Sequence, residues 1–182
     1  MYFFYFYPIG LDRPTQRPPV LTTVMAVVMG ITFLWSRYFS MQFDFFPDDL
    51  IFYPGNGAPW TVLTAIFMHA SWFHILGNLL YLKVLGPPLE QRLGPGKFFF
   101  LFIMMGSFGN MVHGLVSVMG WLGQAGVGVL GASGAIAGLL GFALIRLHGS
   151  RIKVAWWVFA PLVGQNRAGK NFLPLAAAVA VW

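Results

Sequence analysis

The 182 residues carry 58% apolar and 9% charged side chains and a formal charge of +6, a balance that excludes an ordinary soluble domain and indicates several membrane crossings. The lack of cysteine excludes disulfides and thiolate-held metals. Basic residues gather at the ends of apolar runs rather than in one patch, which argues against nucleic acid as a partner and for the lipid bilayer, with the charge bias of inner-side loops. The expected class is all-α, a polytopic helical bundle in a membrane.

In chain order, Met1 to Pro8 is almost wholly aromatic, too short to span and without the charged start of a secretory signal. It reads as an aromatic interfacial segment, with residues 1–19 set before a membrane domain at 20–182. After Arg13 and Arg17, Val20 to Tyr38 approaches the roughly 20 residues of a spanning helix. Ser40 to Ser71 mixes Phe43, Phe45, Phe46, Phe52, Tyr53 and Trp60 with Asp44, Asp48 and Asp49, a composition suited to a structured loop at or in the membrane. A second helix is expected from Trp72 to Leu85, carrying His74, Asn78 and Lys83, with a turn from Gly86 to Lys97. The third covers Phe98 to Met119, and a glycine-rich connection leads to a fourth at Ala132 to Leu147. Val154 to Gly164 is an apolar segment of helix length, too short to cross, and Phe172 to Trp182 is about half a spanning helix.

With the amino terminus cytoplasmic, every lysine and arginine except Arg37 falls on the inner side, opposite Asp44, Asp48 and Asp49. The short loops and the lack of a targeting presequence point to a bacterial plasma membrane.

Polar residues inside this apolar chain are the candidates for function. Ser133 lies beside a stripe of Gly131, Gly134, Gly138 and Gly141, which would let a neighbouring backbone approach. It precedes Arg146 by thirteen residues, roughly 20 Å of helix, and Asn78 precedes Glu90 by twelve, roughly 18 Å, so the two share a depth. His74 stands one turn from Asn78, about 40° around the helix. The fourth helix starts below the surface, so its unpaired N–H groups and positive dipole end lie at Ser133 and suit an oxyanion. The same three side chains could instead lock two helices together by interhelical hydrogen bonds. A metal is not expected, because His69 and His74 are five apart with no third ligand at helical spacing. His113 and His148 read as structural or interfacial.

The run Phe67 to Asn78 (FMHASWFHILGN) resembles the second-helix signature of the rhomboid intramembrane serine proteases. Leu85 to Gly94 (LGPPLEQRLG) resembles the turn that follows, and Gly131 to Gly141 (GASGAIAGLLG) resembles the nucleophile helix. The resemblance implies a rhomboid-like six-helix core, of which about four and a half helices are present. It implies Ser133 as nucleophile, an oxyanion hole of His74, Asn78 and the Ser133 backbone, and His69 and Gly131 lining the site. It also implies a structural ion pair of Glu90 and Arg92, no cofactor, and transmembrane segments of other proteins as substrates. Thr61 follows Trp60 where some members carry an arginine. The family's general base is a histidine on the sixth helix, expected beyond residue 182, so the 182 residues alone are expected to be inactive. Two other readings are a non-catalytic relative that binds transmembrane clients and, more distantly, a transporter with a polar midplane site.

Overall fold

A computed structural model describes residues 3–13, 15–43, 47–55, 57–120, 128–160 and 165–177; for residues 3–6, 43, 159, 160 and 165 it describes the backbone alone. Asp44, most of the glycine-rich connection and the end of the expected half-helix lie outside the described residues.

The fold is mainly helical, as its composition predicts. Strand β1 (Phe3–Leu11) leads to α1 (Val20–Phe43), the short α2 (Thr61–Thr64), α3 (Trp72–Leu93), α4 (Pro95–Val118) and α5 (Ser133–Arg146). Strands β2 (Arg151–Ala160) and β3 (Gln165–Pro174) follow. Among the described residues, α1 and α4 are long and apolar enough to cross a membrane. Residues Thr61–Phe67 with Trp72–Leu93, bent by 89°, pass the same test as one broken span. At 14 residues α5 is about 21 Å long, well short of a hydrocarbon core of about 30 Å.

Each helix buries one stripe and leaves the rest apolar. Met25, Met29 and Phe33 recur at helical spacing on α1 and meet Leu82, Leu85 and Leu89 of α3, Phe98 and Phe102 of α4, and Ile136 and Leu139 of α5 in one core. The outward residues are also apolar, including Val24, Ile31 and Leu34 on α1 and Phe100, Phe108 and Leu115 on α4. A surface this greasy is stable only against lipid. Between α4 and α5 the backbones nearly touch: a Cβ on Gly109 would lie 2.8 Å from the Gly134 Cα, and one on Gly138 would overlap Met105. Gly134 and Gly138 of the expected glycine stripe therefore do face α4. Gly141 does not, since nothing lies within 4 Å of a Cβ built there.

The expected end of the second helix at Leu85 is incorrect. Helix α3 continues through Gly86, Pro87 and Pro88 to Leu93 and stops at Gly94, whose φ of 80° favours glycine. Two features place this proline-containing turn against α1. Gly86 has no Cβ to oppose the proline that follows, and it packs against Thr22. Glu90, 5% exposed, accepts hydrogen bonds from Leu21 N (2.8 Å), Thr22 N (2.8 Å) and Thr22 Oγ1 (2.7 Å). Its carboxylate thus caps the start of α1 at the positive end of the helix dipole. The expected pairing with Arg92, whose side chain is exposed, is not formed among the described residues.

The carboxyl-terminal region is also corrected. The apolar segment of helix length expected from Val154 to Gly164 lies, as far as Ala160, in strand β2, which pairs antiparallel with β1 (Leu11↔Ile152 to Phe3↔Phe159) and with β3 (Arg151↔Pro174 to Ala160↔Gln165). Phe172, the expected start of a half-helix, lies in β3. The β-branched and aromatic residues of this stretch favour a pleated strand once partners are present. Ile152 and Val154 point inward to the core, and Lys153 between them lies 5.8 Å over the Phe172 ring on the other face. The aromatic amino-terminal segment supplies the strand that completes this sheet.

Glu90→Ala leaves three donors at the start of α1 without their acceptor. It is expected to lower stability by about 2–3 kcal/mol, Glu90→Gln by less, and Arg92→Ala by under about 0.5 kcal/mol. Unfolding midpoints of the three variants in one neutral detergent give the comparison.

Candidate active site

The break between α2 and α3 sets the position of both imidazoles. After Phe67 the chain turns, and Ser71, in extended geometry, accepts from His74 N at 3.2 Å as the N-cap of α3. This places His74 in the first turn. His69 precedes the cap and is fully buried, with Nδ1 donating to Phe67 O at 3.1 Å. In its neutral form the Nε2 of that ring is then an acceptor, buried without a partner among the described residues. The two rings meet edge to face with centroids 5.0 Å apart, so the buried His69 backs the half-buried His74.

The approach to Ser133 is held by backbone hydrogen bonds. Phe52 and Val129 form an antiparallel bridge (Val129 N to Phe52 O 2.8 Å, Phe52 N to Val129 O 3.2 Å), and Gly131 N donates to Ala65 O at 2.8 Å. Tyr53, next to Phe52, donates to Asp48 Oδ1 at 3.2 Å; desolvation and the Asp48 charge raise its phenol above the ordinary range. Gly131 has φ +111°, and a Cβ there would overlap Nε2 and Cε1 of His74. The imidazole therefore lies on the bare backbone two residues before Ser133. Ser133 itself is the first residue of α5 and its side chain is exposed, while Ala132 and Ala135 on either side are fully buried.

Asn78 is 2% exposed on the next turn of α3, and its Nδ2 donates to His74 O at 2.9 Å. The expectation had its amide aimed at the oxyanion position. Here one N–H is used along its own helix, a common bond for a short polar side chain four residues on. Nδ2 carries a second hydrogen, and Oδ1 is buried without a donor among the described residues. Of the other expected residues, Gly134 and Gly138 lie against α4, and Glu90 serves α1. His113 is exposed on α4, and exposed His148 lies after α5, with Nδ1 3.2 Å from Ile145 O. Among the described residues no cluster of three His, Cys, Asp or Glu forms a metal site.

Three contributors escaped sequence reasoning: Ala65, the Phe52–Val129 bridge, and Gly109. Gly109 had a signal, because Gly106 and Gly109 form a small-residue face on α4 of the same kind as that on α5. Ala65 and Phe52 act through their backbones, and side-chain patterns do not report that.

A short helix that starts inside an apolar bundle, headed by an exposed serine and flanked by an imidazole, marks a polytopic membrane protein with a candidate serine site. The Rhomboid domain family model matches residues 56–175. The chain belongs to the rhomboid family and is an integral membrane protein. RHOMBOID-like protein 1 of Arabidopsis thaliana is 36% identical over 101 residues, covering 56% of this chain and 23% of that protein. Rhomboid-like protein 11, chloroplastic, of the same plant is 27% identical over 144 residues (79% and 46%). Rhomboid protease GlpG of Serratia proteamaculans is 40% identical over 68 residues (37% and 24%). The chain spans less than half the length of each of these relatives.

Gly131→Ala introduces a methyl group where His74 lies and a left-handed φ that alanine disfavours. The expected loss is about 1–3 kcal/mol, with a displaced His74 imidazole. Unfolding in detergent and the His74 ring shifts in an NMR spectrum measure the two effects.

Proposed function

We propose that this protein is an intramembrane serine endopeptidase that cleaves transmembrane segments of other membrane proteins, with Ser133 as nucleophile. The observation that carries this reading is the seating of His74 Nε2 on Gly131, two residues before an exposed serine at the head of α5. In this mechanism the substrate's scissile carbonyl lies between Ser133 and His74. Ser133 Oγ attacks the carbonyl carbon and its proton passes to a general base. The developing oxyanion accepts from the Ser133 backbone N–H, from an N–H of His74 and from the second N–H of Asn78. The tetrahedral intermediate collapses, the amine leaves with the proton, and water then hydrolyses the acyl ester by the same steps.

An alcohol needs a base to attack an amide near neutral pH. His69 is unsuited, because its ring is fully buried behind His74. We assign the base to a histidine outside residues 1–182, as the family resemblance implies, so these residues supply nucleophile and oxyanion hole. Similarity to Rhomboid protease GlpG supports the activity at the level of the family. The amino terminus is assigned to the cytoplasm on the positive charge shared by one end of the bundle, and the membrane to a bacterial plasma membrane on the short loops.

A fluorophosphonate probe is expected to label the full-length protein at Ser133 and to leave Ser133→Ala unlabelled, read by intact mass. Asn78→Ala and His74→Ala are expected to slow cleavage of a reconstituted transmembrane reporter by about 10²- to 10³-fold each. Equal labelling of wild type and Ser133→Ala, or cleavage that persists in Ser133→Ala, overturns the assignment and leaves a client-binding relative.

A further inference from the structure

The loop before α1 is folded back across the end of α3. Gln16 N donates to Gln91 Oε1 at 2.8 Å, and Arg13 Nε donates to Ser150 Oγ at 2.7 Å. Between this loop and α3 is a cavity of about 260 Å³ lined by Arg13, Thr15, Pro88, Gln91, Arg92 and Leu147. A second recess on the other side of Gln91 is lined by Arg17. Three guanidiniums thus surround one glutamine.

The place of this cavity in the fold limits its ligand. Helix α1 begins at Val20, α3 ends at Leu93, α4 begins at Pro95 and α5 ends at Arg146. Glu90 of α3 bonds to the start of α1, and Leu147, just after α5, lines the cavity with Pro88 and Arg92, so these helix ends meet at one end of the bundle, where hydrocarbon gives way to lipid headgroups. Positive charge is in excess there. Glu90 is the one buried carboxylate among the described residues, and all its contacts go to α1. Asp48 and Asp49 belong to the loop that meets Val129, and only Asp12 accompanies the arginines on their loop. The Ser150 bond fixes Arg13 through Nε and leaves its two terminal nitrogens for another acceptor. Arg92 is exposed on the opposite wall. Two guanidiniums across a cavity, with an amide and a hydroxyl between them, are matched to the tetrahedral oxygens of a phosphate.

We propose that Arg13 and Arg92 form a phosphate-binding site at this end of the bundle, and that its membrane level selects the phosphate of an anionic phospholipid headgroup. Such basic pockets between spanning helices are suited to lipid phosphates. The site requires membrane residence alone and is independent of chemistry at Ser133. With a lipid phosphate bound, the loop, α3 and the turn after α5 are joined by one anion.

The test uses the intact protein in neutral detergent, with native mass spectrometry of phosphatidylglycerol and phosphatidylcholine adducts at equal mole fraction. Phosphatidylglycerol is expected to be retained preferentially. Arg92→Gln should lower its affinity about fivefold, and Arg13→Gln with Arg92→Gln about 25-fold. Lys153→Gln with Lys170→Gln, the same charge change on the sheet, should have no such effect. Because Arg92 is exposed and makes no hydrogen bond or ion pair among the described residues, the single variant keeps the test independent of stability. Millimolar inorganic phosphate that displaces the lipid supports the site with free phosphate as a second source; no displacement supports the headgroup alone. Equal losses from the arginine pair and the lysine pair reduce the effect to diffuse surface charge and overturn the site, as does unchanged binding in Arg92→Gln.

Discussion

Irregular backbone inside a membrane is tolerated only where protein satisfies its polar groups, and the segment before α5 meets that condition through Phe52 and Ala65. These bonds let a helix begin at depth. Without them Val129 and Gly131 would leave unpaired N–H groups in an apolar setting, each costing about 1–3 kcal/mol. The free N–H groups at the head of α5, the exposure of Ser133 and the approach of His74 all follow from that one arrangement.

Glycine determines how close the surrounding elements can come. At Gly134 and Gly109 the lack of side chains brings α5 onto α4, and at Gly131 it admits an imidazole to the backbone. Apolar side chains gain little by leaving lipid for protein, so close van der Waals packing of this kind has to hold membrane helices together. The stripe serves two purposes: Gly134 and Gly138 pack helices, while Gly131 makes room for His74.

The other end of the molecule is organised by charge. Glu90 is buried where α3 would lose hydrogen bonds at two prolines, and its acceptors are filled from the start of α1. One carboxylate thereby fixes the angle between the first helix and the one that carries His74 and Asn78. Its removal from the basic cluster leaves Arg13 and Arg92 without a buried counter-charge. The sheet, whose inner residues Ile152 and Val154 join the core, closes the same end.

Much of this was legible from local pattern. The bounds of α4 and α5 lie within three residues of the sequence reading, because an apolar run between Gly or Pro and a basic residue is a signal carried by the segment itself. The family came from motif order. The sequence could not show that residues 151–174 are strands, since β2 pairs with residues about 150 positions earlier and an apolar run shows no partner. Nor could it show that α3 passes two prolines, that Asn78 turns to its own helix, or that Glu90 serves α1 rather than Arg92. Those outcomes depend on which hydrogen-bond donors the folded chain brings to a buried acceptor, and only the tertiary arrangement decides that.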